Sequence, residues 1–445
     1  MHFKNWFTLL SAIFLFNIGK SQVKDTVTVM HYNLLYYGEV TTFCTVNNNN
    51  VNDKDTYLKR IVNHVQPDIL TINEMGCDAT YAKRIRDLVL NSATIKYELT
   101  VLQKSGSQNI CNMLFYKTSK VKVVKQEKIT TAGNGTSIVR AVDLYELQFL
   151  STNLSPNHSQ LDTPSTHLLT MHLKASSSSA NKRERELAAE GIMKHLETNK
   201  QPGNYLLSGD LNLYTNTEGA FQNFIDWTAP SYNFKDPANR IGRWGNNSSF
   251  ADMHTQSTHT SGGCHSSGGM DDRFDFILAS QYIMTGRGSI QYITGTYKTI
   301  GQDGQRFNGR LDTPQNNAAP AAVIDALYNM SDHLPVVMKV EVLFGQKNNS
   351  TAPTDSSNSV KTNNSIPMLK LWINSKREIQ IDGIPKDSEY QIDAYNSAGS
   401  RIRVLSQHAT LSSNISTLDL GSGLHIIRAK NTLTGEVSSF KIVLP

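Results

Sequence analysis

The chain has 445 residues, of which 39% are hydrophobic and 18% charged, with a formal net charge of +5. That length gives two or three domains and a large core, and the ordinary composition excludes a disordered or fibrous chain. The charge falls from +5 to +3 if Lys4 and Lys20 leave with residues 1–21, too small an excess to argue nucleic-acid binding by itself, though compatible with an anionic substrate.

Lys4 precedes an apolar run from Trp6 to Phe16, and Gly19 and Ser21 precede Gln22, the pattern of a secretory signal cleaved near Ser21–Gln22. The run is too short for a comfortable membrane span and holds no cysteine for a lipid anchor. No later stretch approaches about twenty apolar residues, so the mature chain is expected to be secreted, without stable membrane insertion, and to act as a monomer. Export makes Cys44, Cys77, Cys111 and Cys264 disulfide-permissive. Three pairings are open, with Cys44–Cys77 favoured because both follow a candidate site strand closely. The spacings fit no zinc pattern.

Val27–Leu35 alternates β-branched and polar residues and predicts a first strand that ends at Asn33. The asparagine-rich stretch 47–52 is a loop. Leu58, Ile61, Val62 and Val65 then recur at helical spacing, started by Asp53 or Asp55 and stopped by Pro67. Asp68–Glu74 is a short strand delivering Glu74. A second helix points Ala82, Ile85, Leu88 and Val89 inward. Strands follow at Asn112–Tyr116, Val121–Lys125, Ser137–Phe149 and His167–Leu173, the last ending in His172. A helix over 181–198 buries Ala188, Ile192 and Leu196, and its opening run, Lys182-Arg183-Glu184-Arg185-Glu186, reads as a solvated face. Leu206-Leu207 leads a buried strand to Gly209, where the backbone is expected to turn, and on to Asp210 and Asn212. This strand–helix alternation argues a layered α/β domain.

Residues 215–270 hold a helix near Glu218–Trp227 and then a long glycine-, serine- and asparagine-rich loop. His254, His259, Cys264 and His265 lie in it without metal-ligand spacing, so it reads as a loop facing substrate. Arg273–Leu278 is a strand, a hairpin-like stretch and a loop through Pro320 follow, and Ser331-Asp332-His333 begins the domain's last strand. Residues 345–367, almost all Asn, Ser, Thr, Lys and Pro, form a linker. From 368 to 445 come short alternating strands separated by turns such as Asp382-Gly383, a small all-β sandwich.

Six strand ends between residues 33 and 333 carry polar functional groups: Asn33, Glu74, His172, Asp210 with Asn212, Asp275, and Asp332 with His333. Any one of these has a bland explanation as a cap, a turn or a structural histidine; six in order do not share one. Their chemistry is that of metal-assisted phosphodiester hydrolysis. A hard cation prefers one or two carboxylates, supplied by Glu74 with Asp332. An aspartate fixes an imidazole's tautomer, which Asp275 can do for His333. His172 is a second donor to phosphate, and Asp210, held by Asn212, can accept the proton of an attacking water.

The stretches Met30-His31-Tyr32-Asn33, Ile72-Asn73-Glu74, Met171-His172-Leu173, Gly209-Asp210-Leu211-Asn212, Arg273-Phe274-Asp275-Phe276 and Ser331-Asp332-His333 resemble, in order and spacing, the endonuclease/exonuclease/phosphatase superfamily, which includes deoxyribonuclease I. The resemblance spans 27–343 and implies a four-layer sandwich, two packed mixed β-sheets flanked by helices, with the site at one edge. It also implies a catalytic domain over 22–344 that depends on Mg²⁺, with Mn²⁺ or Ca²⁺ as alternatives. Glu74 is then the main metal ligand, Asp332 and Asn33 assist it, Asn33 also contacts phosphate, and Arg140 faces substrate. His172, Asp210, Asn212, Asp275 and His333 carry the catalysis. Where apurinic endonucleases have an acidic residue two positions after the first asparagine, this chain has Leu35, which speaks against abasic-site repair.

Residues 368–445 resemble the sorting domains of proteins exported by the type IX secretion system, on the alternating strands, Tyr395-Asn396-Ser397-Ala398-Gly399, Gly421-Ser422-Gly423 and the terminal Lys441-Ile442-Val443-Leu444; the secretion machinery is then a partner. The reading is a secreted phosphodiesterase, a nuclease acting on extracellular DNA or RNA. One alternative is a sphingomyelinase-like phosphoester hydrolase, disfavoured because residues 281–300 hold scattered Tyr282, Tyr292 and Tyr297 but no tight aromatic pair. Another is a non-catalytic surface-binding protein on the same scaffold.

Overall fold

The computed structural model describes residues 23–104, 109–151 and 163–344, and in the C-terminal region 370–373, 378–382, 389–396, 401–409, 415–416, 420–432 and 437–444. The expected signal segment and the whole of the expected linker lie outside the described residues. The chain divides into two compact units, at Asn349–Ser350.

In chain order the first unit contains β1 (Val23–Tyr37), α1 (Val51–Val65), β2 (Ile69–Gly76), α2 (Ala79–Arg84) continued by a π-helical turn over Ile85–Leu90, β3 (Tyr97–Leu99), β4 (Ile110–Lys117), β5 (Val121–Thr131), β6 (Ser137–Phe149), β7 (Ser165–His172), α3 (Ser179–Asn199), β8 (Tyr205–Asp210), α4 (Gly219–Ile225), β9 (Phe234–Lys235), β10 (Asp275–Ser280), α5 (Gln281–Thr285), β11 (Ile290–Tyr292), β12 (Lys298–Thr299), α6 (Ala321–Met330) and β13 (Val336–Phe344). One sheet runs β11-β13-β1-β2-β4-β3, with β12 beside β13; the other runs β5-β6-β7-β8-β10-β9. Both are mixed: β1 pairs β2 in parallel and β7 pairs β8 in parallel, while the remaining ladders are antiparallel.

Strand alternation sorts the side chains into layers. On β1, Met30, Tyr32 and Leu34 pack with α1 and α6, while Val27 and Val29 face the second sheet. On β8, Leu207 packs with α3 and α4, while Leu206 joins Val29, Ile69, Leu168 and Ile277 in the core between the sheets. Helix, sheet, sheet and helix thus stack as the four layers expected.

Several local expectations are corrected. Leu88 is exposed rather than inward, because the π-helical turn breaks the 3.6-residue period from Ile85 onward. Residues 281–285 form a helix, not the arm of a hairpin, and 321–330 form a further helix, α6. Arg185 is not on a solvated face: it is fully buried, donating to Glu218 Oε2 at 2.6 Å and to the carbonyls of Lys174 and Ser176. Gly209 lies inside β8 and makes no turn. A Cβ there would stand 2.0 Å from the Met171 carbonyl oxygen, so the parallel β7–β8 pairing needs a bare backbone. The cysteines pair as Cys44–Cys264 and Cys77–Cys111, not Cys44–Cys77. The reason is tertiary: the loop after β1 meets the 256–269 loop, while Cys77, just past β2, lies beside Cys111 on β4, next to the Gly76–Ile110 pair.

Among its described residues the second unit is all-β. β14 (Lys370–Ile373), β15 (Glu378–Asp382) and β18 (Ile415–Ser416) form one antiparallel sheet. β17 (Arg401–Ala409), β16 (Tyr390–Tyr395), β19 (Gly423–Asn431) and β20 (Val437–Leu444) form the other, around Ile392, Ala394, Ile427 and Ala429.

Candidate active site

The alternation that builds the inter-sheet core also builds the site. Residues 29, 31 and 33 on β1, 69, 71 and 73 on β2, 168, 170 and 172 on β7, 206, 208 and 210 on β8, and 275, 277 and 279 on β10 share phase with the inter-sheet layer. At one end of that layer the apolar residues give way to Asn33, Asn73, His172, Asp210 and Asp275. The parallel strands β1, β2, β7 and β8 run toward this end. Asp275 and the Asp332-His333 pair, by contrast, stand where the antiparallel β10 and β13 begin, so these two positions are strand starts rather than strand ends.

Asn33 and Asn73 face each other in register, and both strands then bulge. Beyond Asn33, Leu35 and Tyr36 take left-handed backbone conformations, with φ of 46° and 51°. The buried Lys54 of α1 holds this bulge by donating to the carbonyls of Leu34 at 2.7 Å and Leu35 at 2.5 Å. Burial pushes the Lys54 amine down to about 7. On β2, Glu74 has φ of 57° at the point where the β2–β4 register shifts, and the bulge swings its carboxylate to the inter-sheet end.

Asn33 Nδ2 donates to both Glu74 Oε1 and Asp210 Oδ2 at 3.0 Å, while Asn33 Oδ1 accepts from the Leu35 amide. With its amide oxygen so occupied, Asn33 clamps two carboxylates. Asp210 Oδ1 accepts from the backbone N–H and the side chain of Asn212 at 3.1 and 2.8 Å. Asn73 Oδ1 accepts from the Asp210 amide at 2.9 Å, and Asn73 is itself held by Asn112, which donates to Asp143. Asp210 Oδ2 lies 3.4 Å from His172 Nε2 and 3.8 Å from His333 Nε2. Burial pushes Asp210 up to about 7, against the opposing pull of His333.

His333 Nδ1 donates to Asp275 Oδ2 at 2.7 Å. Despite burial, the charges of Asp275, Asp210 and Asp332 raise His333 well above its ordinary value. Asp275 is buried, yet His333 and His31 hold it down to about 2. His31 stands 3.5 Å behind Asp275, and its Nδ1 is 3.1 Å from Thr71 Oγ1, the start of a buried hydroxyl chain through Ser208 to Thr170. His172 is fully buried and held well below its ordinary value by desolvation first, then by Arg140 and His333, so it is neutral beside its carboxylates.

One atom each from Glu74, His172 and Asp210 lie within 4.8 Å of one another. Glu74 Oε2 and Asp332 Oδ1 are buried without a hydrogen-bond partner, and two orphaned carboxylate oxygens fit a hard divalent cation. Asp332 lies outside the three-residue cluster. Its Oδ2 accepts from the Ser266 amide at 2.9 Å and from Gln256 Nε2 at 3.2 Å. Arg140 donates to the Leu173 carbonyl at 2.9 Å and shares a narrow cleft with Glu74, His172, Asn112 and Gln103. A larger cavity of about 730 Å³ lies elsewhere, between Met253, Tyr297, Gln302 and Arg306, and includes none of these groups.

The site also contains residues that the sequence did not single out: His31, Asn73, Asn112 and Gln256. His31 and Asn73 sat within recognised stretches, two and one residues before Asn33 and Glu74, and shared strand phase was the available signal. Gln256 lay in the 215–270 region and gave none. In that region His254 is buried with Nε2 2.8 Å from the Trp244 carbonyl, and His259 stacks between His265 and Tyr328.

No family model and no curated protein matches the chain. Among solved structures it is similar to the human Nocturnin catalytic domain, at 13% identity over 72% of this chain and 97% of that one, with a TM-score of 0.44. It is similar to an endonuclease/exonuclease/phosphatase protein of Bacteroides vulgatus, at 14% identity, 72% and 99% coverage and a TM-score of 0.45. It is also similar to D. rerio TDP2, solved with a single-strand DNA product, at 13% identity, 71% and 98% coverage and a TM-score of 0.42.

Proposed function

We propose that the chain is a divalent-metal-dependent phosphodiesterase, exported from the cell and acting on DNA or RNA. The observation that carries this reading is the convergence on Asp210: His172 Nε2 at 3.4 Å, His333 Nε2 at 3.8 Å with Asp275 behind it, and the Asn33 clamp to Glu74. Glu74 would hold the cation, with Asp210, His172 or Asp332 at hand to complete the set. When bound, the cation polarises a phosphoryl oxygen and offsets the charge that builds on it. Asp210, poised near neutrality, accepts the proton of the attacking water, with Asn212 fixing the carboxylate's other oxygen. Neutral His172 hydrogen-bonds a phosphoryl oxygen. His333, its tautomer fixed by Asp275, delivers a proton to the departing oxygen. Two disulfides involving all four cysteines suit an oxidising compartment.

A phospholipid substrate is the second reading. Val40, Phe43 and Val46 are exposed on the loop after β1, and Cys44 ties that loop to the one carrying Ser266.

The test is degradation of plasmid DNA, RNA and sphingomyelin vesicles by the purified protein, with and without EDTA. Asp210→Ala and His333→Ala are each expected to cost about 10²–10⁴ in rate, and EDTA to abolish turnover. Full activity of His333→Ala overturns the mechanism; hydrolysis of sphingomyelin alone selects the second reading.

A further inference from the structure

Thr255 and Gln256 form a short segment laced between the start of β10, which carries Asp275, and the stretch with His333 that leads into β13. The Thr255 and Gln256 amides donate to the Asp272 carbonyl at 2.7 and 3.0 Å. The amides of Asp271 and Asp272 both donate to the Gln256 carbonyl at 2.9 Å, and the Leu334 amide donates to the Thr255 carbonyl at 2.7 Å. Thr255 Oγ1 accepts from the Phe274 and Asp275 amides at 3.0 and 3.2 Å. Backbone and threonine therefore fix the segment, and the Gln256 side chain is not needed to hold it.

That side chain is half-buried and reaches the site. Its Nε2 stands 2.7 Å from His333 Nε2 and 3.2 Å from Asp332 Oδ2. The amide nitrogen faces both, because a carbonyl oxygen there would oppose the Asp332 carboxylate. His333 Nδ1 donates to Asp275, which turns Nε2 into the site beside the Gln256 carboxamide. The Gln256 carboxamide N–H and His333 Nε2 thus stand side by side facing one point of the site. An oxygen of a phosphoryl group can accept from both.

We infer that Gln256 is a substrate-contacting residue, its carboxamide N–H donating to a phosphoryl oxygen beside His333. The inference rests on the phosphoester reading of the site. A role confined to steadying the imidazole is poorly matched to the geometry, since Asp275 already holds Nδ1 and the His333 amide donates to Ser331 Oγ at 3.1 Å.

The experiment is calorimetric titration of the full chain with inorganic phosphate in the presence of Mg²⁺, for the wild type, Gln256→Ala and Gln256→Glu, with thermal midpoints measured alongside. Gln256→Ala is expected to bind phosphate about tenfold more weakly, the loss of one hydrogen bond to a charged group. Gln256→Glu is expected to bind more weakly still, because it replaces the donor with a like charge facing the anion. Affinity within about twofold of wild type in Gln256→Ala overturns the inference. So does wild-type affinity in Gln256→Glu, since a carboxylate could steady the imidazole but not donate to phosphate, and so does a wild type that binds no phosphate. Nuclease turnover measured in parallel reports separately on the proposed function: phosphate bound through Gln256 without hydrolysis of any phosphodiester removes the activity and leaves the contact.

Discussion

Asp143 on β6 carries a carboxyl with one oxygen accepting from Asn112 at 3.2 Å and the other buried without a partner. Burial raises it from 3.8 to about 7, against the pull of Asn112 and Lys128. Because the folded value exceeds the unfolded one, the group imposes no penalty below pH 4, where it is neutral in both states, and stability is lost as pH rises toward and through 7. Asp143→Asn keeps the acceptor and removes the charge. It is expected to stabilise the protein by up to about 4 kcal/mol at pH 8 and by clearly less at pH 5, and equal shifts in thermal midpoint at the two pH values would refute this. Gly209 is limited by space instead. Gly209→Ala places a Cβ 2.0 Å from the Met171 carbonyl oxygen in the middle of a parallel ladder. The strand must part to fit it, with an expected loss of at least about 2 kcal/mol in urea unfolding.

At the scale of elements, the loop over 256–269 supplies Gln256 and the Ser266 amide to Asp332, and Cys264 anchors it to Cys44 across 220 residues of sequence. Replacing both cysteines, Cys44→Ser with Cys264→Ser, frees one end of that loop. Stability is expected to fall by about 2–4 kcal/mol, and turnover to fall further than the loss of folded protein explains. Stability lost with specific activity intact would show that the loop keeps its grip on Asp332 without the bridge. The bulges in β1 and β2 do comparable work at the other side of the site, turning Glu74 and the Asn33 clamp toward the same point.

At the scale of the molecule, the catalytic-type groups all lie in the first of two compact units. Deleting residues 350–445 is expected to leave kcat/KM on a nucleic-acid substrate within about twofold of the full chain, as befits a separate domain. A collapse of activity in a still-folded truncation would assign the second unit a part in substrate binding. Among the described residues no helix is long and apolar enough to cross a membrane.

Periodicity alone displayed the strand–helix alternation of a layered α/β domain, because burying one face of each strand and helix leaves a visible period, whereas the four-layer arrangement was implied by the motif resemblance. β1, β6, α1, α3 and the six polar positions from Asn33 to His333 were therefore legible in the chain. Tertiary structure alone decided what has no local signature. The β1 and β2 bulges depend on how two strands run out of register, and the pairing of Cys44 with Cys264 depends on which loops meet. The direction of β10 and β13 at the site depends on sheet order. Arg185 looked like surface because charge runs normally are, and its Glu218 partner, 33 residues away, together with the Lys174 and Ser176 carbonyls offsets the cost of its burial. Gln256 was invisible for the same reason: a glutamine in a polar loop becomes part of a site only when backbone ladders on both sides carry it to His333.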